Sequence, residues 1–150
     1  MNYKFYMQRW VSNKWEEAVS LEDHFEGLKY MRCNGISNKG KVKNIYTESY
    51  AEADTLRTYI PETPKRESTD IEFEFAFVGD NRRDIYDTFV DWCTGHKIKY
   101  WDTFRNREME MILTDDIKVS ESDDVGKGDL KFIVVKIKFK NLKGQTDKKL

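Results

Sequence analysis

The fold of this protein is decided by residues 71–95, which read IEFEFAFVGDNRRDIYDTFVDWCTG. In the first seven of these residues, Ile and Phe alternate strictly with Glu and Ala. A period of two places the apolar side chains on one face of a strand and the others on the opposite face. The sequence therefore predicts a β-strand with one buried and one solvated face.

The rest of this stretch predicts an amphipathic α-helix over about residues 81–94. Asp80 is a suitable N-cap, and Gly95 suits the position just beyond the helix C-terminus. Four apolar residues fall at helical spacing and form one stripe, namely Ile85, Phe89, Trp92 and Cys93. We expect this single helix to flank a β-structure.

Most of the remaining chain has the pattern of short strands separated by turns. Residues 3–11 alternate loosely, the pair Asn34-Gly35 predicts a turn, and residues 52–59 fit either a helix or a strand. Within residues 130–139 the apolar parity changes, which predicts a β-bulge or a strand buried on both faces. We expect a mainly β (α+β) protein: an antiparallel β-sandwich or barrel of about seven to nine strands with one helix.

The chain is expected to form a single β-rich domain, residues 1–150, with two extended loops. One loop lies near residues 34–43. The other covers residues 61–68 and contains both prolines, so it cannot form a central strand. We expect the 61–68 arm to become ordered when the protein assembles with its neighbours.

Composition and charge exclude several classes of protein. Charged residues make up 35% of the chain, against a typical ~25%, and aromatic residues make up 14%. These values predict a folded chain with a small core of large side chains and a charged surface. The net charge of −1 argues against a general nucleic-acid binder. No apolar run reaches the ~18–20 residues of a membrane helix, and the first residues lack the apolar core of a signal peptide.

The sequence offers no recognisable catalytic, cofactor-binding or metal-binding site. Cys33 and Cys93 form no CxxC or zinc pattern, so we expect them to be small buried hydrophobes. His24 and His96 have no identifiable partner base or nucleophile. Neighbouring carboxylates on one strand are expected to share a solvated face rather than to act as glycosidase acids. We therefore expect no cofactor and no enzymatic activity.

A group of aromatic residues supports an alternative function, that of a non-catalytic carbohydrate- or ligand-binding β-sandwich module. The candidate groove residues are Trp10, Trp15, Trp92, Tyr100 and Trp101. Trp92 lies on the helix stripe, and we expect it in the core. Tyr100 and Trp101 are adjacent on a predicted strand, so one of the two faces outward.

Charges are segregated along the chain. Residues 127–143 contain six Lys and one Asp, whereas residues 115–124 contain five acidic residues and one Lys. Two interpretations remain open. One is pairing across neighbouring strands of a solvated sheet, at about a few tenths of a kcal/mol per pair; the other is pairing between subunits that sets the register of a ring.

The order of elements in the second half resembles the tail-tube fold of bacteriophage tail proteins, in which a β-sandwich or barrel is flanked by one helix. Residues 86–115, YDTFVDWCTGHKIKYWDTFRNREMEMILTD, look like segments of prophage tail proteins that follow such a helix. The resemblance covers about residues 55–142 and rests on element order and sequence texture.

The resemblance implies a structural protein of a virion tail, either a tail tube subunit or a related tail completion, distal tail or baseplate hub protein. Subunits of this group stack as rings, commonly hexameric, around a lumen through which DNA passes without specific binding. It further implies assembly in the bacterial host cytoplasm, contacts with other phage tail proteins and no membrane association.

Two sets of residues follow from this resemblance. The candidates for the assembly interface are Pro61, Pro64, Lys65, Arg66, Lys136, Lys138 and Lys140. The candidates for the lumen surface are Glu72, Glu74, Glu108 and Glu110. Acidic side chains suit a lumen to which DNA must not adhere, since like charge prevents phosphate binding.

Overall fold

The computed structural model describes residues 3–43, 46–48, 57–59, 61–114, 116–120 and 132–149. Within these residues the chain forms two helices, α1 (Leu21–His24) and α2 (Arg82–Cys93). It also forms twelve strands: β1 (Phe5–Val11), β2 (Lys14–Trp15), β3 (Val19–Ser20), β4 (Leu28–Asn34), β5 (Tyr46–Glu48), β6 (Arg57–Tyr59), β7 (Thr69–Val78), β8 (Ile98–Asp102), β9 (Arg107–Leu113), β10 (Lys118–Ser120), β11 (Phe132–Asn141) and β12 (Asp147–Lys148).

Ten of these strands form one antiparallel sheet, and β5 and β6 form a separate two-stranded ladder. The longer strands follow the order β4-β7-β11-β9-β8-β1 across the sheet. The short strands β2 and β3 pair with β1, β10 pairs with β11, and β12 pairs with β9. The longest ladder joins β7 to β11, which pair in register from Thr69 opposite Asn141 to Val78 opposite Phe132.

The sheet curls until its two ends meet. Phe5 of β1 stacks on Tyr30 of β4 with ring centroids 3.7 Å apart, although the two strands lie near opposite ends of the strand order. Helix α1 contacts both β1 and β4 and so bridges these ends. The curled sheet therefore has an inner face that encloses the core and an outer face that is available to solvent or to partners.

The core is built on the alternating strand that the sequence singles out. Ile71, Phe73, Phe75 and Phe77 of β7 are all fully buried on the inner face. Phe89 of α2 packs edge-on against Phe75, with centroids 5.2 Å apart, so the helix covers this part of the sheet. Fully burying a side chain of this size stabilises the fold by about 1.5–3 kcal/mol.

The structure confirms the mainly β fold and the flanking helix, since α2 spans Arg82–Cys93 where the sequence predicts about 81–94. The predicted N-cap is wrong by one residue: it is Asn81, not Asp80. The chain turns at Gly79, whose carbonyl accepts a hydrogen bond from the Arg82 N–H. Gly95 has the positive φ of +79° expected just beyond a helix C-terminus.

The strands differ from expectation in two respects. Their number exceeds seven to nine because β2, β3 and β12 have only two residues each, too few for a periodic pattern. The last long strand, β11, has no bulge in its pairing with β7. The apolar parity changes along this strand because Phe132 and Val134 face outward. The bulge lies instead in β4, between Tyr30 and Arg32. Residues 57–59 form a strand, and residues 52–56 lie outside the described residues.

Candidate assembly surfaces

The outer face of the sheet carries stripes of charge that change sign from one strand to the next. The acidic residues of β7 lie beside the lysines of β11, with Lys136 opposite Glu74, Lys138 opposite Glu72 and Lys140 opposite Asp70. On the other side of β7, the Arg32 guanidinium of β4 forms an ion pair with Glu74. Charges of opposite sign therefore lie side by side within a single chain, and Lys140 and Asp70 form an ion pair at 3.5 Å.

The four lumen candidates lie within this pattern. Glu74 is only 7% exposed, and Glu72 faces Lys138 across the ladder. On β9, Glu108 lies 3.3 Å from the Lys149 ammonium and Glu110 lies 3.8 Å from that of Lys97. The structure thus supports pairing across strands of one sheet. The roles of these glutamates in a lumen, and of Lys136, Lys138 and Lys140 in subunit contacts, stay predictions.

The outer face of β1 and β8 is aromatic. Tyr6 stacks on Trp101 with centroids 5.6 Å apart, and Trp10 meets Trp15 edge-on at 5.2 Å. Lysine ammonium groups cap these rings: Lys99 lies 4.5 Å from the Trp15 centroid and Lys149 lies 4.1 Å from the Trp101 centroid.

This arrangement confirms that Trp101 is the outward member of the Tyr100-Trp101 pair, because Tyr100 is fully buried. Trp92 packs against the core from α2, with its ring centroid 5.7 Å from that of Phe25. Of the five groove candidates, the structure brings Trp10, Trp15 and Trp101 to one surface.

Three loops converge at the end of the sheet where β11 ends. The Lys43 N–H donates to the Lys65 carbonyl at 2.7 Å, and the Glu67 N–H donates to the Lys41 carbonyl at 2.7 Å. The 34–43 loop is therefore bonded to the 61–68 arm in the single chain. The expectation that the 61–68 arm becomes ordered on assembly stays a prediction.

Two glycines allow these loops to approach each other. A Cβ at Gly40 would lie 1.8 Å from the Glu67 carbonyl oxygen, and one at Gly144 would lie 1.9 Å from the same atom. Gly144 also has a φ of +67°, a conformation that side chains rarely adopt. The Gly40 N–H donates to the Gly144 carbonyl at 2.8 Å, which closes the three-loop junction.

The junction forms a cleft of about 530 Å³, here named the basic cleft, lined by Val42, Lys43, Pro64, Lys65, Arg66, Leu142, Lys143 and Gln145. Arg66 is fixed by two hydrogen bonds, 2.8 Å to the Gly40 carbonyl and 3.2 Å to Gln145 Oε1. Lys143 pairs with Asp147 at 3.1 Å. Three of the seven assembly candidates, Pro64, Lys65 and Arg66, meet here, whereas Pro61 and the three lysines of β11 do not line the cleft.

A buried polar cluster lies where β4 and β8 meet across the core. The Asp102 carboxylate is 1% exposed and accepts hydrogen bonds from the Tyr100 hydroxyl at 3.0 Å and from Arg105 Nη1 at 2.7 Å. Burial raises the pKa of Tyr100 and of Tyr30, so both phenols stay protonated. Burial alone would lower the pKa of Arg105, but its hydrogen bonds to Tyr30 and Asp102 raise it.

The prediction that both cysteines are buried holds for Cys93, which is 1% exposed, whereas Cys33 is only partly buried. Burial raises the pKa of the Cys33 thiol to about 12, and burial also raises the pKa of the fully buried Cys93 thiol. The nucleophilic form of cysteine is the thiolate, which such pKa values suppress at neutral pH.

Sequence reasoning did not find the Asp102–Arg105–Tyr100 cluster, because the partner Tyr30 lies 70 residues from Tyr100 along the chain.

Within the described ranges, no group of three or more His, Cys, Asp or Glu residues is placed to hold a metal ion. In the same part of the chain, no helix combines the length and apolarity needed to span a membrane.

No protein-family model matches the chain, and no curated protein is similar to it in sequence. Among solved structures, it is similar to a chain of the phage P2 baseplate in its activated conformation with Ca, with a TM-score of 0.49 and 14% identity. The similarity covers 93% of this chain but only 44% of that one. At this identity and TM-score, the similarity does not establish a family or an activity.

Proposed function

We propose that this protein is a non-catalytic structural subunit of a phage tail that associates with copies of itself into rings, resembling a tail tube subunit. The observation that carries this proposal is the incomplete edge of the sheet at β4. An edge strand with unpaired backbone groups is a template for pairing with another chain. Assembly into a tail would give this edge a partner.

Among the described residues, the β4 edge is covered over its first half and has no strand partner over its second. The Leu28 N–H donates to the Phe25 carbonyl at 2.9 Å, and the Tyr30 N–H donates to the Glu22 carboxylate at 3.1 Å. Beyond Tyr30, no described strand pairs with this edge, and the Met31 side chain is 51% exposed. An exposed apolar side chain on an open edge fits a contact between subunits.

Replacing Met31 with Lys is expected to raise the protein concentration at which half of the chains are assembled by about tenfold, since a charge on the edge opposes strand pairing. Sedimentation velocity over a concentration series measures this shift, and negative-stain imaging detects rings. Tyr3→Lys is the matched control, because Tyr3 is 49% exposed but precedes β1 and lies outside the β4 edge. A wild-type chain that stays monomeric at millimolar concentration contradicts the proposal.

The outward cluster of Trp10, Trp15 and Trp101 favours a second candidate function, the binding of a neutral glycan. Planar aromatic rings on one surface can stack against sugar rings, and the lysines above them can donate to sugar hydroxyls. This candidate needs no ring assembly, so it is independent of the first.

Replacing Trp101 with Ala is expected to weaken glycan binding by about tenfold or more, because it removes one stacking platform. Tryptophan fluorescence titration with chitotetraose and maltotetraose measures the binding, and Phe132→Ala, an exposed aromatic 44% accessible on another strand, is the control. If neither sugar binds to the wild-type chain at millimolar concentration, glycan binding is excluded for these classes.

A further inference from the structure

The basic cleft presents cationic groups that form no ion pair with any residue the structure describes. Lys43 and Lys65 are exposed, and neither forms an ion pair with a described residue. Among the described residues, the Arg66 guanidinium donates to two uncharged oxygen atoms, the Gly40 carbonyl and Gln145 Oε1. Because these two hydrogen bonds hold the Arg66 side chain, its charge has a fixed position at the cleft wall. The cleft therefore fits an anionic partner.

The apolar residues on the floor of the cleft indicate which class of anionic partner fits it. Val42, Pro64 and Leu142 contribute apolar surface, and Leu142 is 36% exposed. A phosphate backbone makes no use of apolar surface, whereas an acidic peptide with an apolar residue beside its carboxylates does. The lining therefore favours an acidic peptide segment over nucleic acid.

The chain itself contains such a segment. Residues 121–125 read ESDDV, with three carboxylates followed by an apolar Val125, and are here named the acidic segment. The segment follows Ser120, the last residue of β10, which pairs with Val134 of β11. Its charge and its apolar residue complement the rim and the floor of the basic cleft.

The acidic segment cannot reach the cleft of its own chain. Val134 and Leu142 are eight residues apart along extended backbone, or about 26 Å at ~3.3 Å per residue. Asp124 follows Ser120 by four residues, which span at most about 14 Å. Ser120, from which the acidic segment continues, and the cleft thus lie toward opposite ends of β11. A contact between the acidic segment and the cleft therefore requires two molecules.

We propose that the basic cleft of one subunit receives the acidic segment of a second copy, so that copies join head to tail along the direction of β11. This proposal deepens the ring assembly proposed above and rests on it. A contact between two different surfaces of identical chains is heterologous, and it leads to closed rings or to open filaments. Lys43, Lys65 and Arg66 supply the receiving charges.

The direct test uses the peptide VSESDDVG, residues 119–126 with blocked ends, and isothermal titration calorimetry with the full chain. We expect the peptide to bind, the affinity to fall with added salt, and Lys65→Glu to weaken it by about tenfold or more. Lys39→Glu is the matched control, since Lys39 is exposed in the adjoining 34–43 loop but does not line the cleft. The neutral peptide VSQSNNVG should not bind.

A charge-swap experiment tests the contact in the assembled protein. Asp123→Lys and Lys65→Glu should each reduce association in sedimentation velocity, and the double variant should recover it, because the exchanged charges attract again. If wild-type rings form and none of these charge changes alters them, the cleft contact is wrong and the proposed ring function stands.

Two other outcomes also overturn the cleft contact. Binding of a DNA oligonucleotide that Lys65→Glu abolishes, with no binding of VSESDDVG, would make the cleft a phosphate site. Equal binding of VSESDDVG and VSQSNNVG would exclude recognition by charge. If the peptide binds as expected but the wild-type chain never forms rings, the cleft recognises acidic segments and the ring function fails.

Discussion

Replacing Asp102 with Asn is expected to lower the free energy of unfolding by about 3 kcal/mol, because it leaves the half-buried Arg105 guanidinium without its anion. The Asp102 carboxylate also accepts a hydrogen bond from the Arg105 backbone N–H at 2.7 Å, so it holds the turn after β8. Urea unfolding followed by fluorescence gives the free energy directly.

The control for this substitution is Asp70→Asn, which removes an exposed ion pair with Lys140 at 3.5 Å. We expect Asp70→Asn to cost less than about 1 kcal/mol, since exposed pairs contribute little. A loss below 1 kcal/mol for Asp102→Asn would show that the buried cluster is not a determinant of stability. A double-mutant cycle with Arg105→Met isolates the pairwise contribution.

Replacing Phe73 with Ala is expected to cost about 3–5 kcal/mol of stability, through lost burial and the cavity that remains. The Phe73 ring lies at the centre of the aromatic core, 4.9 Å from the Tyr100 centroid, 5.5 Å from Phe75 and 5.5 Å from Phe139. These contacts join β7 to β8 and β11, so the substitution loosens packing between strands.

Phe132→Ala is the matched control, because Phe132 is 44% exposed on the outer face of β11. It should change the free energy of unfolding by less than about 1 kcal/mol. Equal losses for Phe73→Ala and Phe132→Ala in urea unfolding would mean that inward and outward faces of the sheet are assigned wrongly.

Both substitutions also bear on assembly. The Tyr30 ring of β4 stacks on Phe5 of β1, and the Tyr100 hydroxyl donates to the Tyr30 hydroxyl at 3.3 Å. The core and the polar cluster therefore hold the two ends of the sheet together. If the curl opens, the β4 edge moves relative to the rest of the chain. If the chain assembles as proposed, a destabilised variant should therefore lose association together with stability, whereas surface variants such as Lys65→Glu should lose only association.

The local sequence pattern was sufficient to predict the strand β7 and the helix α2. The alternation over residues 71–77 allows only one face to be apolar, and the structure buries that face. The helix ends near Gly95 as expected, because glycine adopts the positive φ that follows a helix C-terminus. Short elements such as α1 and β12 were not predictable, because four or two residues carry no periodic signal.

The candidate surfaces could be identified only from the strand register and the loop contacts. The six lysines of residues 127–143 suggest a basic face, yet pairing with β7 sets three of them opposite Glu74, Glu72 and Asp70. The basic cleft brings together residues 42–43, 64–66 and 142–145, which are distant in sequence. No spacing rule predicts that meeting, because it depends on the close approach that Gly40 and Gly144 permit.

The sequence by itself determined the mainly β fold, the flanking helix and the burial of Cys93, since these depend on the periodicity and the polarity of neighbouring residues. The tertiary structure alone decided which charges neutralise one another and which remain available. Sheet register fixes the partner of every outward side chain, and register is set by pairing between strands far apart in the chain. For that reason Lys136, Lys138 and Lys140 of β11 lie opposite acidic residues of β7, while Lys43, Lys65 and Arg66 line a cleft.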